Sequence, residues 1–208
     1  MEKYQSVRRL SEVDVLRPLA IFLVVVLHCF TVYWGKWSPF EGYVPCAPYK
    51  WIAATSFSFT MELFVLLSGY IFGYQLLVLK KEFTLKSLAK NKLKRLIVPS
   101  LVFGVLYSLI FYWNRDFFTA IYRILNGAGH MWFLQMLFWC FIMGFLLYKS
   151  GMSDKSKFLI LIGAIAVSTV NIPLRLDKAL YYLFFFYLGI ILSGRQESCR
   201  KLCRNNMF

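Results

Sequence analysis

Six long apolar runs dominate this sequence: Pro18–Trp34, Ile52–Leu79, Leu96–Trp113, Met131–Tyr148, Phe158–Leu174 and Ala179–Leu192. A helix needs about 20 apolar residues to cross the ~30 Å hydrocarbon core of a bilayer, and most of the runs approach that length. Inside lipid every backbone N–H and C=O must be bonded within the chain, which leaves helices as the natural solution. The expected fold is therefore all-α, a polytopic transmembrane bundle of six spans. Composition agrees, because 59% of the 208 residues are hydrophobic and 19% aromatic, too apolar for a soluble domain. The second run is long enough to require tilt or a break near Gly69 and Gly73. The last is short and depends on its aromatic flanks. The first run is read as a span rather than a cleavable signal peptide, since it is long and more spans follow it.

The formal charge is +14, from 24 Lys and Arg against 10 Asp and Glu. A balance this basic can mean nucleic acid, but here the cations lie between membrane runs, and no nucleic-acid partner is expected. With the N-terminus inside, 18 of the 24 fall on inner segments and 6 on outer loops. That alternation predicts cytoplasmic N- and C-termini. Trp34, Trp37, Trp51, Trp113 and Trp132 fall near the outer boundaries, where interfacial anchors belong. The domain is expected to span residues 1–194, followed by a basic cytoplasmic tail at 195–208. Cys29 and Cys140 lie in apolar runs and Cys46 in a loop. Cys199 and Cys203 share the tail without a histidine or second pair nearby, so all five are read as unpaired thiols and no metal site is expected.

The ionisable residues within and beside the spans are the candidates for chemistry. Arg17 and His28 are eleven residues apart, almost three whole turns of α-helix, so they share one face. The rise between them is about 16 Å, which sets an arginine at the membrane surface and a histidine near the midplane. A midplane imidazole usually faces a bundle interior or an aqueous cavity. It either bonds a neighbouring helix or performs chemistry, and histidine as a residue type changes protonation near neutral pH. Glu62 interrupts the second run about 15 Å from its outer end, at a depth similar to that of His28. It reads as a partner that fixes the tautomer of the imidazole, or as a protonated acid bonded to a backbone carbonyl. Ser68 and Gly69 read as close helix packing.

The basic stretch Lys80–Arg95 carries Phe83, Leu85, Leu88 and Leu93 among its lysines, a pattern for an amphipathic surface helix. It serves either as a topology signal against anionic lipid or as a docking surface for a phosphate-rich cytosolic ligand. Lys92 and Arg95, three apart, would share a helix face at the mouth of the third span. His130 opens the fourth span at the outer interface, among aromatics. Asn171 and Pro173 suggest a broken helix end lining a cavity.

Four of these patterns occur in order on successive spans. They are Arg17 to His28, Glu62-Leu-Phe-Val-Leu-Leu-Ser-Gly-Tyr70, Lys92-Leu-Lys-Arg-Leu-Ile-Val-Pro99, and His130-Met-Trp-Phe-Leu134. Together they resemble the acyltransferase family 3 membrane proteins, O-acyltransferases that modify surface glycans and related acceptors. The resemblance covers residues 14 to 134, and the later spans match in general character. It implies a multi-pass protein of the cell membrane that moves an acyl group, commonly acetyl, from acyl-CoA to a hydroxyl acceptor. The acceptor would be a glycan or a lipid-linked molecule, with membrane lipid as the surrounding partner. No tightly bound cofactor is implied, and acyl-CoA is a substrate. His28 takes the place of the family's catalytic histidine, Arg17 of the basic residue before it, and Lys92 and Arg95 of its basic pair. Glu62 is assigned as orienting group, and His130 joins the substrate-binding set. Two departures stand out. The family usually has arginine at the Lys92 position, and lysine cannot make the bidentate phosphate contact. The family domain also usually has several more spans, so the chain is expected to be a fragment, a truncated product or a short subtype. Two other readings fit the same residues. Arg17, His28 and Glu62 would line a proton or anion path in a transporter or channel, which the lack of a visible inverted repeat disfavours. Alternatively the chain is an inactive truncated relative.

Overall fold

A computed structural model of the chain describes residues 11–34, 44–111 and 116–195, and among these every regular element is helical. The helices are α1 (Ser11–Phe30), α2 (Ala47–Gly73), α3 (Leu85–Lys92), α4 (Val98–Phe111), α5 (Phe117–Leu125), α6 (Trp132–Lys149), α7 (Asp154–Val167) and α8 (Leu176–Gly194). A π-helical turn at Tyr74–Val78 extends α2, and another at Leu93–Ile97 joins α3 to α4. Five segments are long and apolar enough to cross a membrane: Val13–Tyr33, Ala47–Val78, Leu85–Phe111, Phe117–Lys149 and Pro173–Gly194. The chain is a multi-pass membrane protein.

The predicted fifth span, Phe158–Leu174, is helical only as far as Val167. Fourteen residues make about 21 Å of helix, less than the ~30 Å hydrocarbon core. The cause is local. Ser168 and Thr169 donate their hydroxyls back to the carbonyls of Ile165 and Ala166, competing with continued helix. Pro173 then biases Ile172 away from the helical region, and Ile172 is extended at φ −113°, ψ 131°. Pro18 lies about two turns inside α1, which runs from Ser11 among the described residues. The basic tail beyond Arg195 and the anchors Trp37 and Trp113 lie outside the described residues.

The chain divides into two compact units, Met1–Leu67 and Ser68–Phe208, with the boundary inside α2. In the first unit, Val13, Ala20 and Leu27 are buried at seven-residue intervals along one face of α1. Val15, Leu19, Phe22 and Val25 are exposed on the same helix, as lipid-facing positions are in a chain that has hydrocarbon for solvent. Phe30, Tyr33 and Tyr49 cluster with ring centroids 4.9 to 6.4 Å apart, tying the end of α1 to the start of α2.

The second unit packs around Phe72, Phe141, Phe145 and Phe186. The Phe72 ring lies 5.3 Å from Phe141, 6.4 Å from Phe145 and 6.0 Å from Phe186. Close approach of α2 to α8 depends on Gly69 and Gly73. A methyl group on Gly69 would collide with the Phe186 carbonyl, and one on Gly73 with Ser193 and Ile190. The packing expected at Gly69 is thus present, and α2 runs through it unbroken. A second small-residue face, Ser100, Gly104 and Ser108, is buried on α4, with Gly104 against Ile124 of α5. Leu161 and Ala164 form the buried face of α7, which packs on α8.

Candidate functional site

In the first unit, His28 sits half-buried near the end of α1. Its Nδ1 lies 2.7 Å from the Val24 carbonyl oxygen one turn back. A carbonyl only accepts, so Nδ1 carries the proton and donates. In the neutral ring the basic lone pair is then on Nε2. Arg17 lies on the same helix and is exposed, separated from His28 by the expected rise of about 16 Å. Glu62 is half-buried in α2, and its Oε2 is buried without a hydrogen-bond partner. The backbone of α1 therefore supplies one contact that favours the Nδ1–H tautomer.

In the second unit the basic stretch forms the expected amphipathic helix. Thr84 caps α3 by accepting a hydrogen bond from the Ser87 N–H, Leu88 is buried, and Lys86 and Lys90 are exposed. Lys92 and Arg95 then part company. Lys92 is half-buried, with Nζ 3.3 Å from the centroid of the Phe141 ring and 6.0 Å from that of Phe72. Arg95 is exposed in the π turn. The turn has a cause in the sequence, because Pro99 has no N–H to offer the Arg95 carbonyl and the helix widens to i→i+5 bonding there. One cation rests on aromatic faces while the other reaches into solvent.

His130 is exposed in a 3-10 turn, Gly129–Met131, between α5 and α6. Gly127 and Gly129 take positive φ values of 74° and 57° and so allow the break, and the Ser100 hydroxyl donates to the Met131 carbonyl across it. Between the third and fourth apolar runs, residues 117–125 form the amphipathic helix α5. Asp116 caps it through Oδ2, which accepts from the Thr119 N–H at 3.0 Å. The signal was present in the Asp116 cap and in the spacing of Phe117, Phe118, Ile121, Tyr122 and Leu125.

Asn126 is the polar hub that sequence reasoning missed. Its Nδ2 donates to the Tyr122 carbonyl, its Oδ1 accepts from the Leu174 N–H, and its carbonyl accepts from Arg175 Nε. The α5–α6 break is thereby tied to the α7–α8 turn, where Asn171 and Pro173 do mark an interrupted helix beside an open pocket. No local pattern marks such a hub, because its partners lie 48 and 49 residues away. Among the described residues Cys29, Cys46 and Cys140 are free thiols. No cluster of three or more His, Cys, Asp or Glu side chains is placed to hold a metal ion among them.

Long apolar helices with lipid-facing side chains define a multi-pass membrane protein; its first unit carries the half-buried His28 and Glu62, and its second the basic turn at Lys92 and Arg95. A family model described as the acyltransferase domain, that of acyltransferase family 3, matches residues 10–203, almost the whole chain. The chain belongs to that family and is an acyltransferase. No curated protein and no solved structure matches it.

Proposed function

We propose that the protein transfers an acyl group, acetyl in the first instance, from acyl-CoA to a hydroxyl of a glycan or lipid-linked acceptor at the cell membrane. The observation that carries this reading is the 2.7 Å contact from His28 Nδ1 to the Val24 carbonyl, which leaves Nε2 as the base. Nε2 takes the proton of the acceptor hydroxyl as its oxygen attacks the thioester carbonyl. The C–S bond then breaks, the new ester forms, and the departing CoA sulfur takes the proton back from the imidazolium. Arg17 guides the donor along the His28 face of α1. Arg95 and Lys92 attract the nucleotide phosphates, Arg95 through an exposed guanidinium suited to bidentate contact. Half-buried Glu62, whose Oε2 has no hydrogen-bond partner, is the proposed orienting group for the imidazole, and His130 belongs to the substrate-binding set. Six spans with both termini inside would place the basic loops where cytosolic acyl-CoA arrives.

The test is transfer of radiolabelled acetyl from acetyl-CoA to a membrane glycan fraction, at equal membrane abundance of each variant. Loss of a positioned base costs about 10²–10⁴-fold in rate. His28→Ala is expected to lose transfer by that factor while still binding CoA, and His130→Ala to lose much less. Full activity in His28→Ala would remove the mechanism. Loss confined to His130→Ala would move the base to the α5–α6 break.

A further inference from the structure

We propose that the turn between α7 and α8 is a binding site for a neutral, hydroxyl-rich ligand, a sugar residue, gripped by Asp177 and Arg175. Asp177 is only 6% exposed, in the first turn of α8. Its Oδ1 is buried without a hydrogen-bond partner. Its Oδ2 lies 3.8 Å from the Nζ of half-exposed Lys178, too far for a hydrogen bond. A buried carboxylate oxygen left in this state is costly, and native chains rarely keep one unless something else supplies the donor. Asp177 lines an open pocket of about 390 Å³ together with Ser168, Thr169, Asn171, Arg175 and Lys178. That volume falls within the range of small-ligand sites.

The chemistry of the lining selects the ligand. Asp177 only accepts, and Arg175 only donates. Arg175 commits Nε to the Asn126 carbonyl, which fixes the guanidinium beside the pocket. Ser168 and Thr169 spend their protons on their own helix, so their oxygens serve the pocket as acceptors. An anionic ligand would meet the Asp177 carboxylate, and a cationic one would meet Arg175 and Lys178. A neutral diol satisfies both sides, giving its O–H to Asp177 and its lone pairs to Arg175. The turn is also held in place. Leu174 and Arg175 are both left-handed, at φ 61° and 59°, and bonds from Leu174 N–H to Asn126 Oδ1 and from Trp139 Nε1 to the Leu174 carbonyl support them. As an anchor for the acceptor, the site rests on the glycan reading above. As a sugar-binding site, it stands on the pocket alone.

The experiment is saturation-transfer NMR on the full chain in a detergent without a sugar headgroup. The probes are the methyl glycosides of glucose, galactose, mannose and N-acetylglucosamine, with sodium phosphate as the competing anion. Transfer to at least one glycoside is expected, weaker by about tenfold in Asp177→Ala and in Arg175→Gln, and unaffected by phosphate. Two substitutions are used because Asp177→Ala could perturb the start of α8, and circular dichroism checks that both variants fold. Silence from every glycoside, equal transfer in both variants, or displacement by phosphate would each overturn the proposal. CoA binding by the same samples is read separately. CoA bound without sugar contact sinks this site and leaves the acyl-CoA reading, while sugar contact without CoA does the reverse.

Discussion

The Nδ1–H of His28 is committed to a carbonyl of its own helix, so the imidazole is oriented by α1 itself. With Nδ1 donating, the basic lone pair of the neutral ring is on Nε2. At Lys92 and Arg95 the same scale separates two roles that sequence spacing had merged. Cation–π contacts are worth about 0.5–2 kcal/mol, rising as the cation is desolvated, so the Phe141 stack makes Lys92 a fastener between α3 and α6. Lys92→Gln is expected to lower the melting temperature in detergent, with a smaller effect on CoA affinity. Arg95→Gln is expected to weaken CoA binding about tenfold or more with no change in melting. A charge-assisted contact to phosphate is worth about 1.5–3 kcal/mol, and 1.4 kcal/mol is a factor of ten. Calorimetric titration with CoA beside a thermal melt checks both. If Arg95→Gln binds CoA normally, the basic turn is a topology signal only. The residues proposed for acyl transfer were visible in the sequence as candidates, because ionisable groups within and beside apolar runs are conspicuous, whereas Asp177 was not. Nor was the half-buried stacking of Lys92, because it depends on Phe141, 49 residues away.

Among elements, the meeting of α2 and α8 is the contact most sensitive to a single methyl group. Gly69 faces the Phe186 backbone, and a backbone cannot rotate aside as a flexible side chain does. Gly69→Ala is expected to cost about 1–3 kcal/mol, the usual range for overpacking, because α2 must part from α8. Gly163→Ala on α7 is the control. Nothing lies within 4 Å of its missing Cβ, and a helical alanine is favoured over glycine by about 0.5–1 kcal/mol. Thermal melting in detergent should therefore fall for the first and hold or rise for the second. Equal behaviour would mean that the α2–α8 approach is looser than described. The breaks between elements obey local chemistry that can be read in the sequence: Asp116 before α5, Gly127 and Gly129 after it, and Ser168 to Pro173 after α7. What joins one break to another is Asn126, whose bonds span nearly fifty residues.

For the whole molecule, lipid as solvent explains why so many large apolar side chains are exposed, including Phe22 on α1 and Phe103, Ile110 and Phe111 on α4. It also makes topology the sharpest test of the architecture. Reporter fusions at Lys86 and Glu41 should lie on opposite sides of the membrane, as the 18 to 6 division of basic residues requires. The 14-residue α7 is the weak point of a six-span scheme. If it crosses, reporters at Asn171 and Arg195 should read outside and inside respectively. Asn171 on the same side as Lys155 would reduce the spans to five and turn the α7–α8 pocket toward the cytosol.

The sequence by itself determined the class of fold, the approximate places of the apolar helices, the His28 and Arg17 face, and the family. Each of these follows from short-range regularities: run length against bilayer thickness, and eleven residues against three helical turns. Only the tertiary structure decided which side chains meet across the chain. It placed Phe186 against Gly69, Phe141 under Lys92, and Asn126 between the two breaks. It also left Asp177 buried without a donor. Apolar runs of similar composition can pack on one another in many registers, and hydropathy is nearly blind to which one is chosen. The choice rests on steric fit at a few small residues and on the pairing of isolated polar groups, which exist only once distant helices are in place.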